Sequence, residues 1–239
     1  GYLSGFTVVS GTATVPSSVP TAPPSPTSTT LCLNFTNAGI TDATAKNDLE
    51  TVGNAQISTT QSKFGGSSMS FNGTNSSLTL RNSQLMNLGA SDFTIEFWVY
   101  LNALSNQDPL YSTSAGAKTD VLAFDISAGG TLGLYATASG GGVWGITSGA
   151  SFGTLAAGAW YHVALVRSGS TWNGYLNGTK GSGFPITNSS ALASFDGFSI
   201  GSNGASSVYL NGYIDDLRIT RYARYTANFT PPTSALQQQ

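Results

Sequence analysis

Phe93-Thr94-Ile95-Glu96-Phe97-Trp98-Val99-Tyr100-Leu101 is the run that decides the fold class. Side chains two apart on an extended chain share a face, so Phe93, Ile95, Phe97, Val99 and Leu101 form one apolar row while Trp98 and Tyr100 stand on the other. A strand apolar on both sides is central and at least partly covered on both faces, as when two sheets pack and a loop crosses one of them. Working outward, strands are expected at 68–71, 77–80, 121–126, 132–136, 160–167, 171–176, 197–200 and 213–220, with Gly, Asn and Ser turns between them. Arg167-Ser168-Gly169-Ser170-Thr171 reads as a tight hairpin, and Asn177-Gly178 as a turn needing positive φ.

Composition agrees with an all-β chain. Of 239 residues only 8% are charged, 40% are hydrophobic and 29 are Gly, with little at helical spacing. The net charge of −2 supplies no basic field for phosphate backbones, so nucleic acid is not an expected partner. No apolar run has the ~18–20 residues of a membrane span. Cys32, the single cysteine, permits no internal disulfide and reads as a small buried hydrophobe in Leu31-Cys32-Leu33. Without an initiator Met or a signal-peptide pattern, the chain reads as processed or cut from a longer product.

Three segments are expected: an N-terminal arm and Pro/Ser/Thr-rich linker over 1–30, a sandwich over 31–232, and a C-terminal tail over 233–239. Within the arm, Phe6, Val8 and Val9 lie in a strand-prone stretch ahead of a proline-rich tether. They belong either to a frayed end or to an assembly arm that adds a strand to a neighbouring chain.

Ser91-Asp92-Phe93 through Val99, Trp160-Tyr161-His162 through Arg167, and Gly212-Tyr213-Ile214-Asp215-Asp216-Leu217-Arg218-Ile219 come in this order, with Lys63-Phe64-Gly65-Gly66-Ser67-Ser68 and Phe71-Asn72-Gly73 upstream. Together they resemble the laminin-G-like, concanavalin A-like lectin/glucanase domains over about Leu31–Pro232. The close, Arg221 to Pro232, is similar to the tail of copies in bacteriophage structural proteins. The resemblance implies an antiparallel two-sheet jelly roll and a non-catalytic part in a virion or on a cell surface, often involving glycans. The chain departs from its relatives where Asn72 and Asn34-Phe35-Thr36-Asn37 replace the aspartates many copies carry. That weakens the structural calcium some of these jelly rolls hold, an ion needing about six to eight hard oxygen ligands.

Glucanases of this architecture use paired carboxylates on one strand face. Here the only glutamates are Glu50, read in a polar loop, and Glu96, alone in its strand, so hydrolysis is not expected. Glu96 reads as a structural acceptor and His162 as a hydrogen-bonded histidine among packed residues. Alternation turns Asp215 inward with Leu217 and Ile219, where a buried carboxylate needs a partner. A backbone N–H clamp or an outward-turning bulge is favoured over calcium, with Asp42 the next metal ligand in the latter case. For glycan stacking, Tyr135, Trp144, Trp172 and Tyr209 flank Gly- and Ser-rich turns. Arg218, Arg221 and Arg224, alternating with Tyr222 and Tyr225, read as a packed strap.

The function expected from these readings is a non-catalytic virion surface protein for decoration, capsid or fibre assembly, outside the cell. Its partners would be other virion proteins, a second copy of itself and a cell-surface glycan. The alternative is a free carbohydrate-binding module formerly attached to a glycoside hydrolase.

Overall fold

The computed structural model describes residues 29–33, 35, 40, 42, 44, 47–81, 87–113, 120–139, 143–203 and 208–237. The assembly-arm residues Phe6, Val8 and Val9 lie outside them. Among the described residues there is no helix, and none long and apolar enough to cross a membrane. Sixteen strands follow in chain order. The first eight are β1 Thr29–Leu33, β2 Leu49–Val52, β3 Gln56–Ser58, β4 Ser68–Asn72, β5 Ser77–Arg81, β6 Phe93–Leu101, β7 Gln107–Thr113 and β8 Asp120–Ile126. The rest are β9 Thr131–Ala136, β10 Thr147–Thr154, β11 Trp160–Ser168, β12 Thr171–Leu176, β13 Thr179–Lys180, β14 Ile186–Thr187, β15 Gly197–Ile200 and β16 Asn211–Thr220.

They form the expected two antiparallel sheets of a jelly-roll sandwich. The first runs β13-β12-β11-β6-β16-β4-β3, with β1 on β16 and β14 on β12; the second runs β10-β9-β8-β7-β15-β5-β2. The apolar row of β6 lies wholly inside: Phe93, Ile95, Phe97, Val99 and Leu101 are all fully buried. They meet Leu110, Leu122, Phe124, Ile126, Leu132, Leu134, Phe198 and Ile200 of the second sheet in one core. Each large side chain so buried contributes roughly 1.5 to 3 kcal/mol. Opposite residues of antiparallel strands share a face, so Leu110, Phe124 and Ile200 inside leave Tyr111, Ala123 and Ser199 outside on the neighbouring register positions.

The turn chemistry is as read. Ser168 pairs with Thr171 around Gly169 at φ 58°, and Asn177 and Gly178 take φ 49° and 75° between β12 and β13. At Gly178 only the absence of a Cβ permits the close approach of Phe229, whose carbonyl oxygen would lie 1.8 Å from it.

Two expectations change. Glu50 is not in a loop but in β2, an exposed residue opposite Thr79. The packed chain also continues past Pro232: Leu236 is buried and donates its N–H to Asp216 Oδ2 at 3.1 Å.

Candidate functional site

The outer faces of the two sheets differ. On the first, Thr94, Glu96 and Trp98 point away from the core, yet all three are buried: the returning chain from Arg221 onward covers Thr94 and Glu96, while Lys63 and Phe64 cover Trp98. Ala164, Val166 and Tyr175 pack there under Ala223, Tyr225 and Phe229. Glu96 is the polar centre of this strap: Oε1 accepts from Arg218 Nη2 at 2.7 Å and Nε at 3.0 Å, and Oε2 accepts from the Tyr225 hydroxyl at 2.8 Å. Burial alone would push its carboxyl up, but His162 and Arg218 outweigh that and hold it at about 2. Glu96 is thus the structural acceptor expected of it. His162 Nε2 lies 3.4 Å from Glu96 Oε2, within ion-pair reach, but neither ring nitrogen makes a hydrogen bond, and the ring is held by Trp98 and Phe229. It is packed as expected, but its ring is not hydrogen-bonded.

Asp215 shows how the chain departs from strict alternation. Between Asp215 and Arg218 the pairing with β6 slips, and Asp216 takes φ 48°. This bulge places Asp215 opposite outward-facing Trp98 rather than in the core. Its carboxylate accepts the backbone N–H of Lys63 at 2.8 Å, of Phe64 at 3.1 Å and of Asp216 at 3.0 Å. Burial raises it to about 6 despite those three donors. Asp42, named as its partner in metal binding, is engaged in its own turn, accepting from Thr44 N, Thr44 Oγ1, Asn47 N and Asn47 Nδ2.

The second sheet presents a pocket of about 220 Å³ lined by Asp108, Tyr111, Asp120, Ala123, Asp125, Tyr135, Trp144 and Asn203. Alternation along β7, β8 and β9 delivers Tyr111, Ala123, Asp125 and Tyr135 to one side, since Tyr111 pairs with Ala123 and Ala123 with Tyr135. Trp144 enters from the β9–β10 connection with φ 61°, unusual for a bulky residue, and its N–H is held by Thr137 Oγ1 at 3.0 Å. Its ring meets Tyr135 edge-on at 5.2 Å, and both residues are half-buried.

The polar wall is acidic. The Tyr111 hydroxyl donates to Asp120 Oδ1, and burial together with that carboxylate raises the phenol. Burial first, and then the neighbouring charge of Asp125, push Asp108 up to about 7.

Of the four aromatic residues proposed from sequence for glycan stacking, the pocket brings together Tyr135 and Trp144. Trp172 is a core residue: it shares the inward face with Phe93, is fully buried, and donates Nε1–H to the Asn188 carbonyl at 3.2 Å. Pairing of Trp172 with Ile186 in β14 closes the flank that the sequence left open. Tyr209 is half-buried on an isolated bridge with Ser202 and is outside the pocket lining. Sequence reading missed Asp108, Tyr111, Asp120, Asp125 and Asn203; alternation in Val121-Leu122-Ala123-Phe124-Asp125 was the one available signal, since it sets Asp125 opposite the apolar row.

Solved structures with this architecture come from several settings. Domain 4 of AbnA, a GH43 extracellular arabinanase from Geobacillus stearothermophilus, solved in complex with arabinotriose, superposes with a TM-score of 0.63 at 18% identity, over 82% of this chain and 93% of that one. A Trypanosoma rangeli sialidase in complex with the inhibitor DANA gives 0.62 at 15% identity, over 82% of this chain and 31% of that one. The binding domain of botulinum neurotoxin serotype D/C gives 0.61 at 12% identity, over 83% of this chain and 50% of that one. At such identities the likeness is one of fold. No curated protein matches by sequence. The sequence pattern of one family, however, matches residues 72–228, and these include β6, β11, the pocket and β16. The chain therefore belongs to the concanavalin A-like lectin/glucanases superfamily, as a laminin-G-like domain.

Proposed function

We propose that this chain is a non-catalytic carbohydrate-binding domain and that the Tyr135–Trp144 pocket is where a glycan sits. The observation carrying this reading is the half-buried aromatic pair set beside Asp108, Asp125 and Asn203. Aromatic faces stack on the C–H faces of sugars, while carboxylates and an amide read their hydroxyls. Three aspartates with no cationic side chain among the described lining residues favour neutral over acidic oligosaccharides.

A binding rather than a hydrolytic role has its own support. Asp108 and Asp125 lie within hydrogen-bonding range of one another. Glycosidase carboxylates stand ~5 to 9.5 Å apart, leaving room for the anomeric centre or a water. The test is calorimetric titration of the full chain with neutral arabino-, xylo- and gluco-oligosaccharides. Binding at millimolar or lower concentration that disappears in Trp144→Ala and Tyr135→Ala is the expected result; no binding, or binding unchanged by both substitutions, overturns it.

We place the domain on the outside of a virion, as a decoration, capsid-associated or fibre component assembled from copies of itself. The support is the likeness of its closing stretch, Arg221 to Pro232, to phage structural proteins. Imaging the native particle with a domain-specific antibody tests this. A second reading, a module once joined to a hydrolase, is favoured by the similar domain 4 of the arabinanase. It predicts a monomer that binds polysaccharide and joins no particle.

A further inference from the structure

Bare backbone holds one of the two rings of the pocket. Gly133 and Tyr135 are two residues apart on β9, so both stand on the outer face of the second sheet. Beside them the pairing with β10 slips between Ser148 and Ala150, and the extra residue, Gly149, takes φ 83°. The Tyr135 ring lies over these two glycines. A Cβ at Gly133 would stand 3.5 Å from Tyr135 Cε2, an ordinary contact, but one at Gly149 would stand 3.4 Å from Cζ and 3.2 Å from the hydroxyl oxygen. Any side chain at Gly149 would therefore strain the bulge and push the ring off the sheet. With one face on the backbone, the ring turns the other to the pocket that it lines. Trp144 meets it edge to face, the planes at 61° and the centroids 5.2 Å apart.

That geometry limits how much of a glycan fits. A sugar chain laid along a protein surface needs aromatic rings spaced along it, with their faces in a common surface, because each sugar stacks on a face. Two rings in edge contact at 61° make a corner instead, one sugar wide. The space before that corner is about 220 Å³, below the ~300 to 1,000 Å³ of pockets that enclose larger organic ligands. Asp108, Asp125 and Asn203 line it with polar groups for the hydroxyls of the sugar that enters. On the reading of this pocket as a glycan site, we infer that it takes one sugar ring, free or at the end of a glycan, rather than a run of chain, and that Gly149 is the positioning residue that presents the Tyr135 face to it.

The experiment titrates the full chain calorimetrically with three length series: arabinose to arabinotriose, xylose to xylotriose, and glucose through cellobiose to cellotriose. In a series that binds, Kd should change by less than about threefold from monosaccharide to trisaccharide, since rings beyond the first find no subsite. Tightening by about tenfold or more along the series overturns the single-ring site and leaves the glycan reading standing. No binding in any series overturns both. Gly149→Ala should weaken binding by about fivefold or more. Gly158→Ala should leave it unchanged, because Gly158 has φ 82° as well but open space where its Cβ would stand. Tyr135→Phe removes the oxygen that the new methyl meets, so in that background Gly149→Ala should cost less than about threefold. Gly149→Ala binding like the wild type, or costing as much with Phe at 135 as with Tyr, overturns the positioning role. Should Gly149→Ala fail to fold, Gly149→Asn takes its place, since Asn tolerates positive φ.

Discussion

The two sheets bury the same core between them but treat their outer faces in opposite ways. On the first sheet the chain covers itself: residues 221–237 lie across it, and its buried acid, Glu96, is matched by Arg218 at 2.7 Å and Tyr225 at 2.8 Å. On the second sheet the buried acid, Asp108, has an oxygen without a donor, beside two more carboxylates and two half-exposed rings. Glu96, closed over by the chain, finds its partners within it, because an unmet buried charge costs several kcal/mol. At the open pocket Asp108 is instead crowded by Asp125, and burial together with that neighbouring charge raises its carboxyl to about 7.

Breaking the closed face should have the largest effect. Arg218→Ala leaves the fully buried Glu96 with less compensation, and a loss of about 3 to 5 kcal/mol in urea-unfolding free energy is expected. Leu236→Ala removes a side chain only 4% exposed from the end of the strap and should cost about 2 kcal/mol by the same measurement.

Acid should separate Glu96 from Asp108 by sign. Glu96 is lowered from 4.5 to about 2, so its contribution is complete above pH 4.5 and is lost as pH falls towards 2. Asp108 is raised from 3.8 to about 7, so the folded state holds the extra proton, and stability declines as pH rises from about 4 to 7. Unfolding titrations across this range should show both limbs. Asp108→Asn should flatten the upper one, leaving the smaller decline that Asp215, raised to about 6, adds below it. An unaltered upper limb in that variant would remove Asp108 from the account. The smallest stability effect belongs to the open face: Trp144→Ala should change unfolding by less than about 1 kcal/mol, since the ring is half-buried, while abolishing oligosaccharide binding.

How much of this was legible in sequence depended on whether a strand announces itself by alternation. β6, β12 and β15 match their expected bounds, because each alternates between a buried row and an outer row that is aromatic or polar. β7 was missed: Gln107-Asp108-Pro109-Leu110-Tyr111-Ser112-Thr113 contains a proline and offers one strongly apolar inward residue, Leu110. That strand carries Asp108 and Tyr111, so two of the pocket's five missed polar residues were missed with it. β10, Thr147–Thr154, is largely Gly, Ser and Thr and reads as loop by composition. Tyr135 and Trp144 were found because glycine-rich neighbours mark a surface, but the same cue misplaced Trp172, whose cover comes from β14, ten or more residues away. The turn of Asp215 away from the core depends on a slip against β6 and on the positive φ of Asp216, neither of which a two-residue period can express.

The position of β16 has a consequence in time. It is the last strand in the chain but sits inside the first sheet, bonded to β6, β4 and β1. As the chain leaves the ribosome, β6 is complete at Leu101, whereas its neighbour ends at Thr220, an interval on the order of ten seconds at ~5 to 20 residues per second. Throughout that interval the edges of β4 and β6 that β16 will join have no native neighbour, and the strap that roofs the sheet has yet to emerge. The nascent domain is thus exposed to strand-to-strand association until its final fifth is made, and fusing a stalling sequence directly after Thr220 should yield chains that aggregate.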